Sequence, residues 1–107
     1  MLAFTPLKKS LVGNWTIRYV NGTQVSVEFR RDGKFESKIP AENFIVGGKY
    51  ELKEDVLSVS DTSCNENYWG KYRLTFITDD SVFSEVMEDS CVGRRSAVNN
   101  IHMIRVK

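Results

Sequence analysis

The feature that most constrains the fold of this chain is a hydrophobic period of two, which recurs in short segments beyond residue 12. The alternating apolar positions are Trp15, Ile17 and Tyr19, then Val25, Val27 and Phe29, then Tyr50 and Leu52, then Leu57 and Val59, and finally Tyr72, Leu74 and Phe76. An amphipathic helix would show a period near 3.6 instead. The pattern therefore predicts a chain made of β-strands.

Tight turn signals separate these segments and predict antiparallel hairpins. They are Asn21-Gly22, Arg31-Asp32-Gly33, Glu54-Asp55 and Thr78-Asp79-Asp80. Further strands are predicted around Phe35, from Val82 to Met87, and from about Val98 to Val106. Only residues 5–11 are predicted to be helical, as a turn or two that begins near Pro6.

About eight short strands in 107 residues indicate a single domain that spans residues 1–107. An open sheet of this kind would leave two edges unpaired, whereas closure into a barrel removes both edges. The short links favour up-and-down connections between neighbouring strands. We therefore predict an all-β, up-and-down antiparallel barrel of about eight strands with a short helical turn at its amino terminus.

The lengths of the links predict that the two ends of this barrel differ. Links after the second, fourth and sixth strands are tight turns, whereas those after the third, fifth and seventh strands cover residues 39–48, 61–69 and 88–97. Alternate links in an up-and-down barrel lie at opposite ends. One end is thus expected to be narrow, and the other to carry the longer loops where binding groups concentrate.

Charge and composition argue against several classes of function. Fifteen basic and fourteen acidic residues are interspersed, which gives a net charge of +1 and no basic stripe for nucleic acid. No apolar run approaches the ~20 residues that a membrane-spanning helix needs. The single histidine, His102, and the two cysteines form no recognised metal set, and no catalytic motif occurs. We therefore expect a protein that is not an enzyme and has no cofactor.

The two cysteines, Cys64 and Cys91, fit either one disulfide in an oxidising compartment or two buried thiols in a reducing one. Both fall in links expected at the wider end, with one strand between them, so a bond forms if either loop leans inward. We predict this disulfide, and with it a periplasmic, envelope or extracellular location. No export signal is visible in the first six residues.

Aromatic side chains at strand spacing supply the candidate ligand-binding residues, although most are expected simply to fill the core. Tyrosine hydroxyls inside a barrel need hydrogen-bond partners and can serve as polar anchors in an apolar cavity. The candidate lining residues are Tyr19, Tyr50, Tyr72 and Phe83, with Trp15 at the base.

The strand from Val82 to Met87 allows two orientations. If Phe83 and Met87 point inward, Glu85 does as well, and it then needs a partner such as Arg94 or Arg95. If Val82, Ser84 and Val86 point inward, Glu85 is solvated. The neighbouring Glu88-Asp89 and Arg94-Arg95 pairs are expected to cap a solvated loop.

Gly13-Asn14-Trp15 at the head of the first strand and Arg105 near the end of the last resemble a lipocalin-like domain of the calycin superfamily. The resemblance implies that Trp15 lies near the closed end with Arg105 packed over it, and that a small molecule binds inside. Gly70-Lys71-Tyr72, followed by residues 89–94, resembles small bacterial lipocalin-like domains, many of which are exported. No helix is expected before the last strand.

A second resemblance is to META domains, which are small exported barrels. Cys64-Asn65, Gly70-Lys71-Tyr72 and Cys91 occur in the order typical of that family. It implies a structural or interaction domain with a filled core and a protein or envelope partner. A carrier or sensor of small apolar molecules is our first hypothesis and this domain the second. A void of ~300 Å³ or more inside the barrel would favour the first.

Overall fold

The computed structural model describes residues 9–107, which form a closed antiparallel barrel of eight strands. The strands are β1 (Gly13–Arg18), β2 (Gln24–Phe29), β3 (Lys34–Ile39), β4 (Phe44–Lys53), β5 (Val56–Asp61), β6 (Gly70–Thr78), β7 (Ser81–Glu88) and β8 (Ile101–Arg105). Each strand pairs with the next, and β8 closes on β1. The predicted all-β, up-and-down barrel is therefore confirmed. Residues 5–8 of the predicted helical turn lie outside the described residues, and residues 9–12 adopt no helix.

The turns form where the sequence places residues that tolerate a left-handed backbone. Gly22 (φ +90°) lies in the β1–β2 loop, and Gly33 (φ +85°) lies in the β2–β3 turn. The Asp32 side chain accepts a hydrogen bond from the Lys34 amide (3.1 Å) in that same turn. These residues let the alternating segments reverse direction within a few positions, which fixes the register of each hairpin.

The predicted long link over residues 39–48 is wrong. β3 extends to Ile39, a single 3₁₀ turn covers Pro40–Glu42, and β4 begins at Phe44. Gly47 and Gly48 lie inside β4 and form no turn. A Cβ on Gly48 would overlap the carbonyl oxygen of Ser60 in β5, so the glycine permits a close approach of two strands.

The expectation of no helix before the last strand is also wrong. Helix α1 (Val92–Val98) lies between β7 and β8, and β8 begins at Ile101, not near Val98. Arg94 is the buried residue of this helix. A seven-residue helix with a charged side chain on its buried face has no apolar period of 3.6, so the pattern of the sequence does not reveal it.

The inward-facing side chains of the strands, together with Leu11 before β1, form one hydrophobic core inside the barrel. Its members are Leu11, Trp15, Ile17, Val25, Val27, Phe29, Leu57, Val59, Tyr72, Leu74, Phe76, Val82, Ile101 and Met103. In β7 the buried side chains are Val82 and Ser84, whereas Glu85 is exposed. The second of the two orientations considered for this strand is therefore the one that the barrel adopts.

The two ends of the barrel differ as predicted, although only the links after β5 and β7 are long and the link after β3 is not. The closed end carries the turns at residues 30–33, 54–55 and 79–80. The open end carries the β1–β2 loop, the 3₁₀ turn, the loop over residues 62–69, and the segment 89–100 that contains α1. The segments with irregular backbone thus meet at one end, beside the carboxyl ends of β1, β3, β5 and β7.

Candidate functional site

A cavity of about 530 Å³ occupies the open half of the barrel. Its walls are mainly apolar side chains of the strands, among them Ile17, Val25, Val27, Phe29, Phe35, Ile39, Val46, Leu57, Val59, Ile101 and Met103. Its rim includes Tyr19, Asn21, Thr23, Phe44, Ser63, Cys64, Cys91 and Ala97. Among the described lining residues, Asp61 and Arg94 carry charge. We call this space the barrel cavity.

Of the five candidate binding residues, Tyr19 lines the barrel cavity, whereas Trp15, Tyr50, Tyr72 and Phe83 do not. The Tyr19 hydroxyl donates to the carbonyl oxygen of Ala97 (2.6 Å), and this bond ties the end of β1 to α1. Burial raises the pKa of Tyr19. Because its hydroxyl already donates a hydrogen bond to Ala97, Tyr19 forms part of the cavity wall and has no second proton to donate.

Tyr50 lies toward the closed end, and Phe83 lies outside the barrel. The Tyr50 hydroxyl donates to the carbonyl oxygen of Arg30 (2.6 Å), and its ring meets that of Phe29 edge to face with centroids 4.8 Å apart. Phe83 packs against the exposed His102 with ring centroids 4.7 Å apart. Alternation along β7 turns Phe83 outward because Val82 and Ser84 face the core.

Trp15 is fully buried at the closed end, one inward position deeper than Ile17. Arg105 lies across it, with the guanidinium carbon 4.4 Å from the centre of the indole ring system. The indole N–H donates to the carbonyl oxygen of Leu11 (2.8 Å). Trp15 therefore belongs to the base of the barrel, below the cavity.

Arg105 is held by backbone oxygens and one carboxylate. It donates to the carbonyl oxygens of Val12 (2.6 Å), Ser10 (2.7 Å) and Asp79 (3.2 Å), and to Asp80 Oδ1 (3.0 Å). Gly13 (φ +130°) makes room for this guanidinium, since a Cβ there would lie 2.7 Å from its Nη1. The glycine of the Gly-x-Trp motif thus allows the contact between the first and last strands.

A disulfide links Cys64 and Cys91 at the open end, with their Cα atoms 6.1 Å apart. It joins the 62–69 loop to the residue that precedes α1, across the intervening strand β6. The predicted pairing is confirmed, and it is compatible with an oxidising compartment. Both cysteines line the barrel cavity, so the bond also holds part of its rim in place.

Beside the disulfide lies a buried polar group of four side chains, Asp61, Tyr72, Asp89 and Arg94, which we call the mouth cluster. Arg94 donates to Asp89 through Nε (to Oδ2, 2.7 Å) and Nη2 (to Oδ1, 3.0 Å), and to Asp61 Oδ2 through Nη1 (3.3 Å). The Tyr72 hydroxyl donates to Asp89 Oδ2. The pair of Arg94 and Asp89 is buried and bidentate, and such arginine–carboxylate pairs are strong and have a well-defined geometry.

Contacts within the mouth cluster shift the pKa values of Asp89, Tyr72 and Arg94. Burial of Asp89 opposes its ionisation, but hydrogen bonds from Arg94, Tyr72 and the Cys91 amide outweigh that effect and lower its pKa. Burial, together with the bond to Asp89, raises the pKa of Tyr72. The bond to Asp89 also raises the pKa of Arg94. At neutral pH the cluster therefore holds a carboxylate, a guanidinium and an un-ionised phenol in contact.

The expectation that the Glu88-Asp89 and Arg94-Arg95 pairs cap a solvated loop is wrong for Asp89 and Arg94. Their side chains are 0 % and 5 % exposed, whereas Glu88 and Arg95 are exposed. Gly70 makes this burial possible, because a Cβ there would lie 2.5 Å from the Asp89 carboxylate. In the sequence, only the Gly70-x-Tyr72 motif pointed to this buried group. Its glycine leaves space for the Asp89 carboxylate, and its tyrosine hydroxyl donates a hydrogen bond to it.

The described residues 9–107 hold neither a metal-ligand group nor a membrane-spanning helix. They contain no group of three or more histidine, cysteine, aspartate or glutamate side chains placed to hold a metal ion. They also contain no helix with the length and apolar character needed to cross a bilayer. The barrel cavity is thus mainly apolar, with a charged corner formed by Asp61 and Arg94 of the mouth cluster.

Comparison with protein-family models, curated proteins and solved structures finds no match to this chain.

Proposed function

We propose that this protein binds a small, largely apolar molecule in the barrel cavity and acts as a carrier or sensor of the lipocalin-like kind, without catalysing a reaction. The observation that carries the proposal is the cavity itself. Its volume of about 530 Å³ exceeds the ~300 Å³ at which ligand sites begin and lies within their usual range of about 300–1,000 Å³.

The distribution of lining residues supports the same function. Valine, isoleucine, leucine, phenylalanine and methionine side chains form most of the wall, and the polar residues collect at the open end. A site of this kind gains affinity from apolar burial and orientation from a few polar groups. The disulfide and the bond from Tyr19 to Ala97 fasten the rim, so the site is largely formed before a ligand enters.

The second candidate is an exported structural or interaction domain of the META-like kind. Large apolar side chains exposed at the open end favour it, namely Val20, Phe44, Ile45 and Val92. Such residues often mark the place where a protein partner binds. The open cavity beneath them favours the carrier, because a filled interior is expected of a purely structural barrel. For either role we propose an extracellular, periplasmic or envelope location, on the strength of the disulfide.

A dye titration tests the carrier function. Diphenylhexatriene, an uncharged apolar dye, is expected to bind with a rise in fluorescence and to raise the melting temperature with its concentration. Ser37→Phe places a ring inside the cavity and should weaken binding at least tenfold. Lys38→Phe is the matched control, because the same ring then lies on the outer face of the same strand.

Two results would overturn the carrier function. The first is a failure of diphenylhexatriene, and of a wider panel of apolar probes, to change either signal. The second is an equal effect of Ser37→Phe and Lys38→Phe on dye binding, which would place the dye on the surface of the barrel. Native mass spectrometry of freshly purified protein complements the titration, because a co-purified small molecule would identify the ligand directly.

A further inference from the structure

The mouth cluster, of which Asp61 and Arg94 line the barrel cavity, contains more negative than positive charge. Two buried carboxylates, Asp61 and Asp89, share the single guanidinium of Arg94. The other described lining residues are uncharged at neutral pH. Because charges in a poorly solvated site interact more strongly than in water, this imbalance influences which ligand head group the cavity accepts.

The two carboxylates differ in how many of their acceptor positions are used. Asp89 accepts four hydrogen bonds, from the Arg94 Nε and Nη2 groups, the Tyr72 hydroxyl and the Cys91 amide. A carboxylate offers about four such positions, so Asp89 is saturated. It also does not line the barrel cavity. Its role is to hold Arg94 and Tyr72 in place.

Asp61 retains one acceptor position and lines the barrel cavity. Its Oδ1 accepts from the amide (2.9 Å) and the hydroxyl of Ser63, whereas Oδ2 accepts from Arg94 Nη1 (3.3 Å). One lone pair of Oδ2 is therefore left for a donor. The bond to Arg94 is longer than the two bonds from Arg94 to Asp89, so it compensates the Asp61 charge less well.

We propose that the ligand of the barrel cavity is a small apolar amine, whose ammonium group donates to Asp61 while its hydrocarbon part lies against the apolar walls. This inference rests on the proposed carrier function and names its ligand class. An ammonium group balances the surplus carboxylate and supplies the missing donor. A fatty acid would bring a third carboxylate to the same corner. The unused N–H groups of Arg94 do not reverse this preference, because two carboxylates already exceed its single charge.

Three probes with the same ten-carbon chain test the head-group preference. Decylamine, decanol and decanoate, each below its micelle concentration at pH 7, compete with diphenylhexatriene for the cavity. Decylamine is expected to bind most tightly, at least tenfold more tightly than decanoate, with decanol between them. Decanoate or decanol binding as tightly as decylamine would overturn the proposal.

The variant Asp61→Asn assigns the preference to one side chain. It should reduce the ratio of decylamine to decanol affinity about tenfold or more, because the ratio cancels any general loss of binding. Asp55→Asn is the matched control and should leave the ratio unchanged, since Asp55 is an exposed partner of Lys9 at the closed end. An unchanged ratio in Asp61→Asn would overturn the assignment. If this variant does not fold, the order of the three probes on the unaltered protein still decides the proposal.

The test separates failure of this inference from failure of the proposed function. If diphenylhexatriene binds but the three probes follow another order, the carrier function stands and the amine is wrong. If neither the dye nor any of the decyl probes binds, the carrier function itself is wrong.

Discussion

The two ends of the barrel each combine a Gly-x-aromatic motif with an arginine, but the arginines are held by different chemistry. At the closed end, Gly13 and Trp15 receive Arg105, which bonds mostly to backbone carbonyl oxygens. At the open end, Gly70 makes room for the carboxylate that binds Tyr72 and Arg94. One motif seals the barrel, and the other builds a charged corner of the cavity.

The two arginines differ in solvent exposure, and this difference determines how much stability is lost when either one is removed. The Arg105 side chain is 20 % exposed, so water can replace it at the carbonyl oxygens that it leaves. The Arg94 side chain is 5 % exposed and its two carboxylates are nearly inaccessible. Removal of Arg94 therefore leaves uncompensated charge in a poorly solvated place, which proteins tolerate badly. Two similar sequence motifs therefore have unequal energetic roles.

The largest expected effect comes from breaking the mouth cluster. Arg94→Met should lower the free energy of unfolding by about 3–5 kcal/mol, because Asp61 and Asp89 then lose their shared partner. Arg95→Met is the control at the neighbouring, exposed position and should change stability by no more than about 0.5 kcal/mol. Urea denaturation monitored by circular dichroism measures both. Equal losses for the two variants would mean that the cluster does not contribute as the structure indicates.

The disulfide gives a second measure of how much the open end contributes to stability. Replacing both Cys64 and Cys91 with serine should cost about 3–4 kcal/mol in the chain-entropy model, for a sequence separation of 27 residues. The loss should appear in urea denaturation and should vanish if the comparison is made with reduced wild-type protein. Two titratable thiols in denatured, non-reduced protein would contradict the bond.

At the closed end, a double-mutant cycle measures the contact of Arg105 with Trp15. The coupling between Arg105→Met and Trp15→Leu is expected to be about 0.5–2 kcal/mol, as for a cation over an indole ring. Thermal and urea denaturation of the single and double variants give the coupling. Strictly additive losses would show that the arginine stabilises this end through its carbonyl and carboxylate bonds alone.

The smallest expected effect is a difference in how strongly salt changes the pKa values of Asp80 and Asp89. Lys107, with Arg105, lowers the pKa of the partly exposed Asp80, and at the open end Arg94 and Tyr72 outweigh burial to lower that of Asp89. Both groups then stabilise the fold above about pH 3.9, the unfolded value, and this stabilisation is lost as the pH falls through the folded pKa.

Carbon-13 NMR titration of the aspartate carboxyl groups measures the salt effect. Adding about 0.5 M NaCl should move the pKa of Asp80 toward its ordinary value, because water and ions reach its pair with the exposed Lys107 and screen it. It should move the pKa of Asp89 much less, because that carboxylate is buried. Equal salt sensitivity at both positions would remove the distinction between the two ends.

Most of the strands, the closed barrel and the difference between its two ends could be predicted from the sequence. A period of two and turn residues such as Gly22 and Gly33 act over a few positions, so they can be recognised without knowing what lies across the barrel. The position of Arg105 near Trp15 could also be predicted, because the first and last strands are neighbours in a closed barrel. The disulfide could be predicted only in part: strand order puts Cys64 and Cys91 at the same end, and a loop that leans inward completes the approach.

The barrel cavity and its charged corner could not be predicted from the sequence, because they depend on the tertiary structure. Asp61 and Arg94 are 33 residues apart, and no local pattern indicates that the barrel encloses them while it leaves Arg95 in solvent. The same holds for Tyr72, whose ring alternates like any core residue but whose hydroxyl meets Asp89 outside the cavity lining. Alternation tells which side chains share a face. The packing of all eight strands and α1 together decides how large the cavity is and how much unbalanced charge lies beside it.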